Sequence, residues 1–132
     1  MARQTPADKD ARGFEANLEA CSDELRQMVA YLRKTAQNAG ADVTERRFKH
    51  TSPNTGWGIT YYAGGNGFCD FHPKRQRDHV WALIHGGDRV ALETAGTVAV
   101  RGDGPWVTIE NMRGAVRLVP FILRAHDDLV GV

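Results

Sequence analysis

A chain of 132 residues is one domain's worth, and it can bury about two-thirds of its unfolded surface, so a core forms without metal or disulfide. Apolar residues at 42% and charged residues at 25% exclude a largely disordered chain. Seventeen basic residues against sixteen acidic ones argue against a dedicated binder of phosphate backbones, which carries a clear basic excess, but leave room for a local patch.

Residues 1–12 are polar, with Pro6 and mixed charge, and read as a flexible lead-in to a single domain over 13–132. From 13 to 38 the apolar positions Phe14, Leu18, Cys21, Leu25, Met28, Val29 and Leu32 recur at helical spacing, predicting one amphipathic helix of about five turns. Acids precede bases along it, as the helix dipole favours, and Gly40 suits the position after its end. So regular a stripe also fits a coiled-coil partner. Packing on the chain's own sheet is the better reading, because only three heptads are present and strands follow.

Residues 42–49 alternate weakly and carry charge, the pattern of a guarded edge strand. A loop at 50–55 is marked by Ser52-Pro53-Asn54. The strongest local signal comes next, in W-G-I-T-Y-Y-A-G-G-N-G-F-C-D-F-H-P over 57–73. Two aromatic-rich runs flank a glycine cluster, which predicts a β-hairpin. Parity puts Trp57, Ile59 and Tyr61 on one face of the first strand, with Gly58, Thr60 and Tyr62 on the other. In the second strand it groups Cys69 with Phe71, and Phe68 with Asp70 and His72. Pro73, lacking an N–H, ends that strand.

Residues 79–85 are nearly all apolar and predict a central strand. Asp88 to Ala95 suits a short helix capped by Asp88 and stopped by Gly96. Strands at 97–101 and 106–110 are joined by the turn-rich 102–105. Asn111 caps a last helix to about residue 128, in which Pro120 marks a kink or a new start. Short connections favour antiparallel pairing. The fold class that follows is α+β, a two-layer sandwich: a mainly antiparallel sheet with the N-terminal and C-terminal helices on one face. The other face then meets solvent, a ligand or a second copy in a homodimer.

Cys21 and Cys69 read as small core residues in a reducing cytosol. No apolar run reaches the length of a membrane span, and the first ten residues lack the apolar centre of a signal peptide. The expectation is a cytoplasmic protein without a membrane partner.

The chemistry concentrates between residues 45 and 77. Arg46, Arg47, Lys49, Lys74, Arg75 and Arg77 stand there against Glu45 and Asp70, with Tyr61, Tyr62, Phe68 and His72 interleaved. Aromatic platforms amid cations bind single-stranded nucleic acid by stacking and charge, and arginine forks bind phosphate or carboxylate groups of small molecules. A merely solvated sheet face is the plainer alternative. Cys69, His72, His79 and His85 lack the paired, closely spaced arrangement of zinc ligands, and parity points Cys69 and His72 apart, so neither a metal nor a cofactor is expected. The glycine cluster lacks the order of a phosphate loop and joins two strands instead of opening a helix. No acid–base or nucleophile set converges, which leans the reading away from an enzyme. Trp57, Trp81 and Trp106 each fall in a strand; if two are exposed together, an aromatic pocket on the free sheet face gains weight.

The run F-C-D-F-H-P-K-R (68–75), followed by H-V-W-A-L-I and a late W-V-T-I-E before the last helix, resembles small bacterial α+β domains of the "predicted transport protein" type. It is more distantly similar to the YdhG-like and MmcQ/YjbR-like families. The resemblance covers residues 42–128 and implies the same α+β fold in a bacterial protein. Those families define no catalytic residue to carry over.

The function expected from the residues is a binding module for an anionic small molecule or a protein partner on the sheet face. Arg46, Lys49, Lys74 and Arg75 would supply charge, and Tyr62, Phe68 and His72 would shape the surface. A nucleic-acid-binding domain using the same patch, and a structural dimerisation domain, are the alternatives.

Overall fold

A computed structural model describes residues 5–49, 56–101 and 104–131. The loop expected at 50–55 and the centre of the turn at 102–105 lie outside the described residues.

The N-terminal helical stripe folds as two helices, α1 (Pro6–Glu19) and α2 (Asp23–Gln37), not as one. Two caps explain the break. The Thr5 hydroxyl accepts from the Asp8 N–H while the Asp8 carboxylate accepts from the Thr5 N–H, and Pro6 fills the first turn. Ser22 accepts from the Leu25 N–H and starts α2 afresh. Residues 6–12, expected as a lead-in, therefore belong to a capped helix. Asn38, not a residue beside Gly40, caps the end of α2.

The strands are β1 (Thr44–Lys49), β2 (Trp57–Ala63), β3 (Asn66–Lys74), β4 (His79–Ile84), β5 (Thr97–Arg101) and β6 (Gly104–Ile109). They form one six-stranded antiparallel sheet in the order β1-β2-β3-β4-β6-β5. A single 3-10 turn (Arg75–Arg77) links β3 to β4, and the short α3 (Arg89–Leu92) starts where Asp88 accepts from the Val90 and Ala91 N–H groups. The last helix, α4 (Met112–Val130), is capped by Asn111 and continues through Pro120 without a new start. Pro120 is exposed, so the carbonyl that its missing N–H leaves without a partner is close to water.

Helices α1, α2 and α4 cover one face of the sheet. Ile59, Tyr61, Cys69, Phe71, Val80, Ala82, Ile84, Val107 and Ile109 meet Phe14, Leu25, Met28, Leu32, Leu118 and Ile122 there in one core. Charge clamps its edge: Arg33 bonds Glu15 at 2.9 Å and Glu45 at 3.2 Å, Arg47 bonds Glu15 at 3.0 Å, and the Tyr61 hydroxyl donates to Glu45 at 3.0 Å.

The hairpin turns on Gly64-Gly65, both at positive φ, which L-residues adopt reluctantly. Strand parity holds from Cys69 onward. Before it the register shifts: Tyr61 faces Cys69 while Tyr62 faces Gly67, so Phe68 is the extra residue of a β-bulge. The bulge turns Phe68 to the helix side, where its ring meets Tyr61 and His126. Phe68 and His72, grouped by simple alternation, lie on opposite faces. Pro73 does not end β3 but pairs opposite Val80. The β2–β3 ladder has stopped at Ile59–Phe71, so nothing on that side requires the N–H that Pro73 lacks. Among the described residues, no helix is long and apolar enough to cross a membrane.

Candidate anion-binding cleft

The face away from the helices carries Phe48, Gly58, Asp70, His72, Lys74, Trp81, Trp106 and Thr108, as register and alternation require. Its centre is tightly packed. The His72 ring is fully buried between Phe48, at 5.9 Å edge-on, and Trp106, at 5.1 Å. Gly58 makes that possible, since a Cβ there would lie 2.6 Å from the imidazole. This face is a second, smaller packed layer whose Trp81 and Trp106 indoles remain partly exposed.

A cleft of about 780 Å³ opens at the end of the sheet where β3 passes into β4. Trp57, Pro73 and Asn17 wall one side and Trp81 the other. Lys74, Arg75, Arg77 and Arg101 all line it, and among the described residues no carboxylate does. The 3-10 turn places Arg75 and Arg77 together, and Asp78 closes that turn in the left-handed conformation, φ 52°. The Lys74 ammonium lies 4.1 Å from the centroid of the Trp81 ring. Burial, reinforced by the Arg77 charge, pulls its pKa down to about 8. His79 is held below the usual histidine range by burial and by Arg77, and its Nε2 accepts from the Trp81 indole N–H at 3.1 Å, which requires a neutral ring.

Of the residues singled out from sequence, Lys74 and Arg75 come together in this cleft. Lys49 sits on the helix side, its ammonium 5.6 Å from the ring of Trp57, a wall residue. Arg46 stands farther along the edge strand, opposite Thr60, whose neighbour across β3 is Asp70. Tyr62 lies by the hairpin turn, at the far end of β2 from the cleft. Phe68 is fully buried under the helices, and His72 is fully buried behind Trp106, so neither reaches the cleft. Arg77 belongs to the charge cluster but not to the expected site, Trp57 and Trp81 were expected only as linings of an aromatic pocket, and Arg101 was not singled out. The signal for Arg77 was its place two residues after Arg75 in a tight link. Arg101 gave none, because β6 inserts between β4 and β5 and only the three-dimensional order carries it there.

Cys69 and His72 lie on opposite faces, and among the described residues no three of His, Cys, Asp and Glu are placed to hold a metal ion. Burial raises the thiol pKa at both cysteines, which disfavours the thiolate form. No protein-family model matches the chain, and no curated protein or solved structure matches it significantly.

Proposed function

We propose that the protein is a binding module for an anionic small molecule, held in the cleft at the β3–β4 end of the sheet. One observation carries this reading: four cationic side chains line a concave site that, among the described residues, no carboxylate lines. Like charges brought together repel one another, and a bound anion relieves that repulsion. Arg75 and Arg77 offer planar forks for paired bonds to phosphate or carboxylate oxygens, and Lys74 acts as a point charge braced on Trp81. The depressed lysine pKa supports the same reading, because an anion beside Lys74 would restore its charge.

Calorimetric titration with tripolyphosphate tests this directly. The native chain should bind it, and Arg75→Ala/Arg77→Ala should lose tenfold or more in affinity with an unchanged melting temperature, since both side chains are exposed. Equal affinity in the two proteins would remove the cleft from consideration.

A further inference from the structure

We infer that the anion recognised in this cleft carries a planar aromatic ring, making the ligand a nucleotide; this rests on the cleft reading above. A second cavity of about 210 Å³ lies on the open sheet face, lined by Trp81, Ala99, Arg101, Trp106 and Thr108. It shares Trp81 and Arg101 with the cationic cleft, so the two adjoin, one charged half beside one aromatic half. Trp81 and Trp106 stand diagonally on neighbouring strands, Trp81 opposite Thr108 and Trp106 opposite Leu83. Such diagonal neighbours are within reach of one planar group.

Both indoles are braced. Lys74 sits over the Trp81 ring and the Trp81 N–H is fixed on His79, while buried His72 packs against Trp106. A partly exposed aromatic braced by neighbours beside a cation suits stacking, because less conformational freedom is lost when a base settles on it. Ala99, on the edge strand, keeps the cavity open where a larger residue would fill it. Arg101, bordering both cavities, can bridge ring and phosphate. The aromatic cavity is small enough to favour one ring, hence a free nucleotide over a strand of several bases.

The experiment compares ATP, tripolyphosphate and a short oligothymidylate by calorimetry on the native chain, Trp106→Leu and Ala99→Leu. ATP should bind roughly tenfold or more tighter than tripolyphosphate, the increment of one base stacked on an aromatic side chain. Trp106→Leu and Ala99→Leu should each reduce ATP affinity to that of tripolyphosphate while leaving tripolyphosphate binding unchanged. Ala99 is exposed, so its variant keeps the test open should Trp106→Leu fail to fold. Oligothymidylate binding tighter than ATP, steeply salt-dependent and lost in Ala99→Leu, would retain the ring-plus-phosphate chemistry and assign a nucleic-acid strand as its source. ATP and tripolyphosphate binding equally to the native chain would overturn the aromatic half and leave the anion cleft standing. Absence of binding by both would overturn the cleft reading itself.

Discussion

The Lys74 ammonium rests 4.1 Å from the centre of the Trp81 ring, on adjacent strands and one step from the 3-10 turn that carries Arg75 and Arg77. Contacts of this kind contribute about 0.5–1 kcal/mol where solvent still reaches them. They hold a lysine that is pulled by burial, and then by the Arg77 charge, to a pKa of about 8. The arrangement keeps a cation in a place that disfavours it, and that tension makes the cleft testable by pH.

Tripolyphosphate binding should take up a proton near pH 8, because a bound anion raises the Lys74 pKa back towards the ordinary value of 10.5. Affinity should fall as pH rises above about 8, and Lys74→Met should lose that dependence. The linkage sign for stability is the reverse. Between about pH 8 and 10.5 the unfolded chain holds the lysine proton and the folded chain does not, so the fold gains stability as pH rises there. Urea midpoints measured between about pH 7 and 10.5, compared with those of Lys74→Met, read the difference.

Glu45 predicts an acid limb. Burial alone would raise its pKa, but the hydrogen bond from Gln37, the Arg33 charge and the Tyr61 hydroxyl outweigh it and hold the carboxyl below 4.5. A carboxylate depressed in the folded state contributes stability above its unfolded pKa, and that contribution is lost as pH falls through the folded value. Glu45→Gln should be less stable than the native chain at pH 7 and should flatten the decline below pH 4.5, measured by urea midpoints across pH.

Phe68→Ala separates core from site. Its ring is fully buried against Tyr61 and His126, so truncation should cost about 3–5 kcal/mol. Tripolyphosphate affinity of the folded protein should not change. A stable variant with weakened binding would instead return Phe68 to the ligand surface.

Gly58→Ala places a methyl group 2.6 Å from the His72 ring, and overpacking of this kind costs about 1–3 kcal/mol. Because the closest clash is with the His72 ring, with Phe48 Cζ next at 3.0 Å, the double variant Gly58→Ala/His72→Ala should be less destabilised than the two single effects summed. Additive losses in chemical denaturation would mean that His72 is not what Gly58 accommodates.

Much of the fold was legible in local pattern. The hairpin glycines, the Asp88 and Asn111 caps and the six strands followed from turn chemistry and alternation. Where the reading failed, a competing local signal had been outweighed by a longer one. The apolar stripe through Cys21 spanned the break at Ser22, although Ser22-Asp23-Glu24 is itself a helix start. Parity counted through β3 assigned Phe68 to the wrong face, because a bulge adds one residue without a mark in composition. The site was legible only in part. Lys74 and Arg75 are close in sequence and stay close in space, whereas Arg46 and Tyr62 are separated from them by strand rise along the sheet. Trp81, Trp106 and Arg101 converge through the β4-β6-β5 order, which local sequence does not encode.

The three tryptophans supply the most direct test, since each indole N–H gives its own signal in a proton–nitrogen correlation spectrum. Trp57 and Trp81 line the cationic cleft, and Trp106 lies only in the adjoining aromatic cavity. On titration with tripolyphosphate the Trp57 and Trp81 indole signals should shift saturably, with Trp106 nearly still. Indole signals unmoved at saturation, or shifts confined to Trp106 and the Gly64-Gly65 turn, would contradict binding in the cationic cleft.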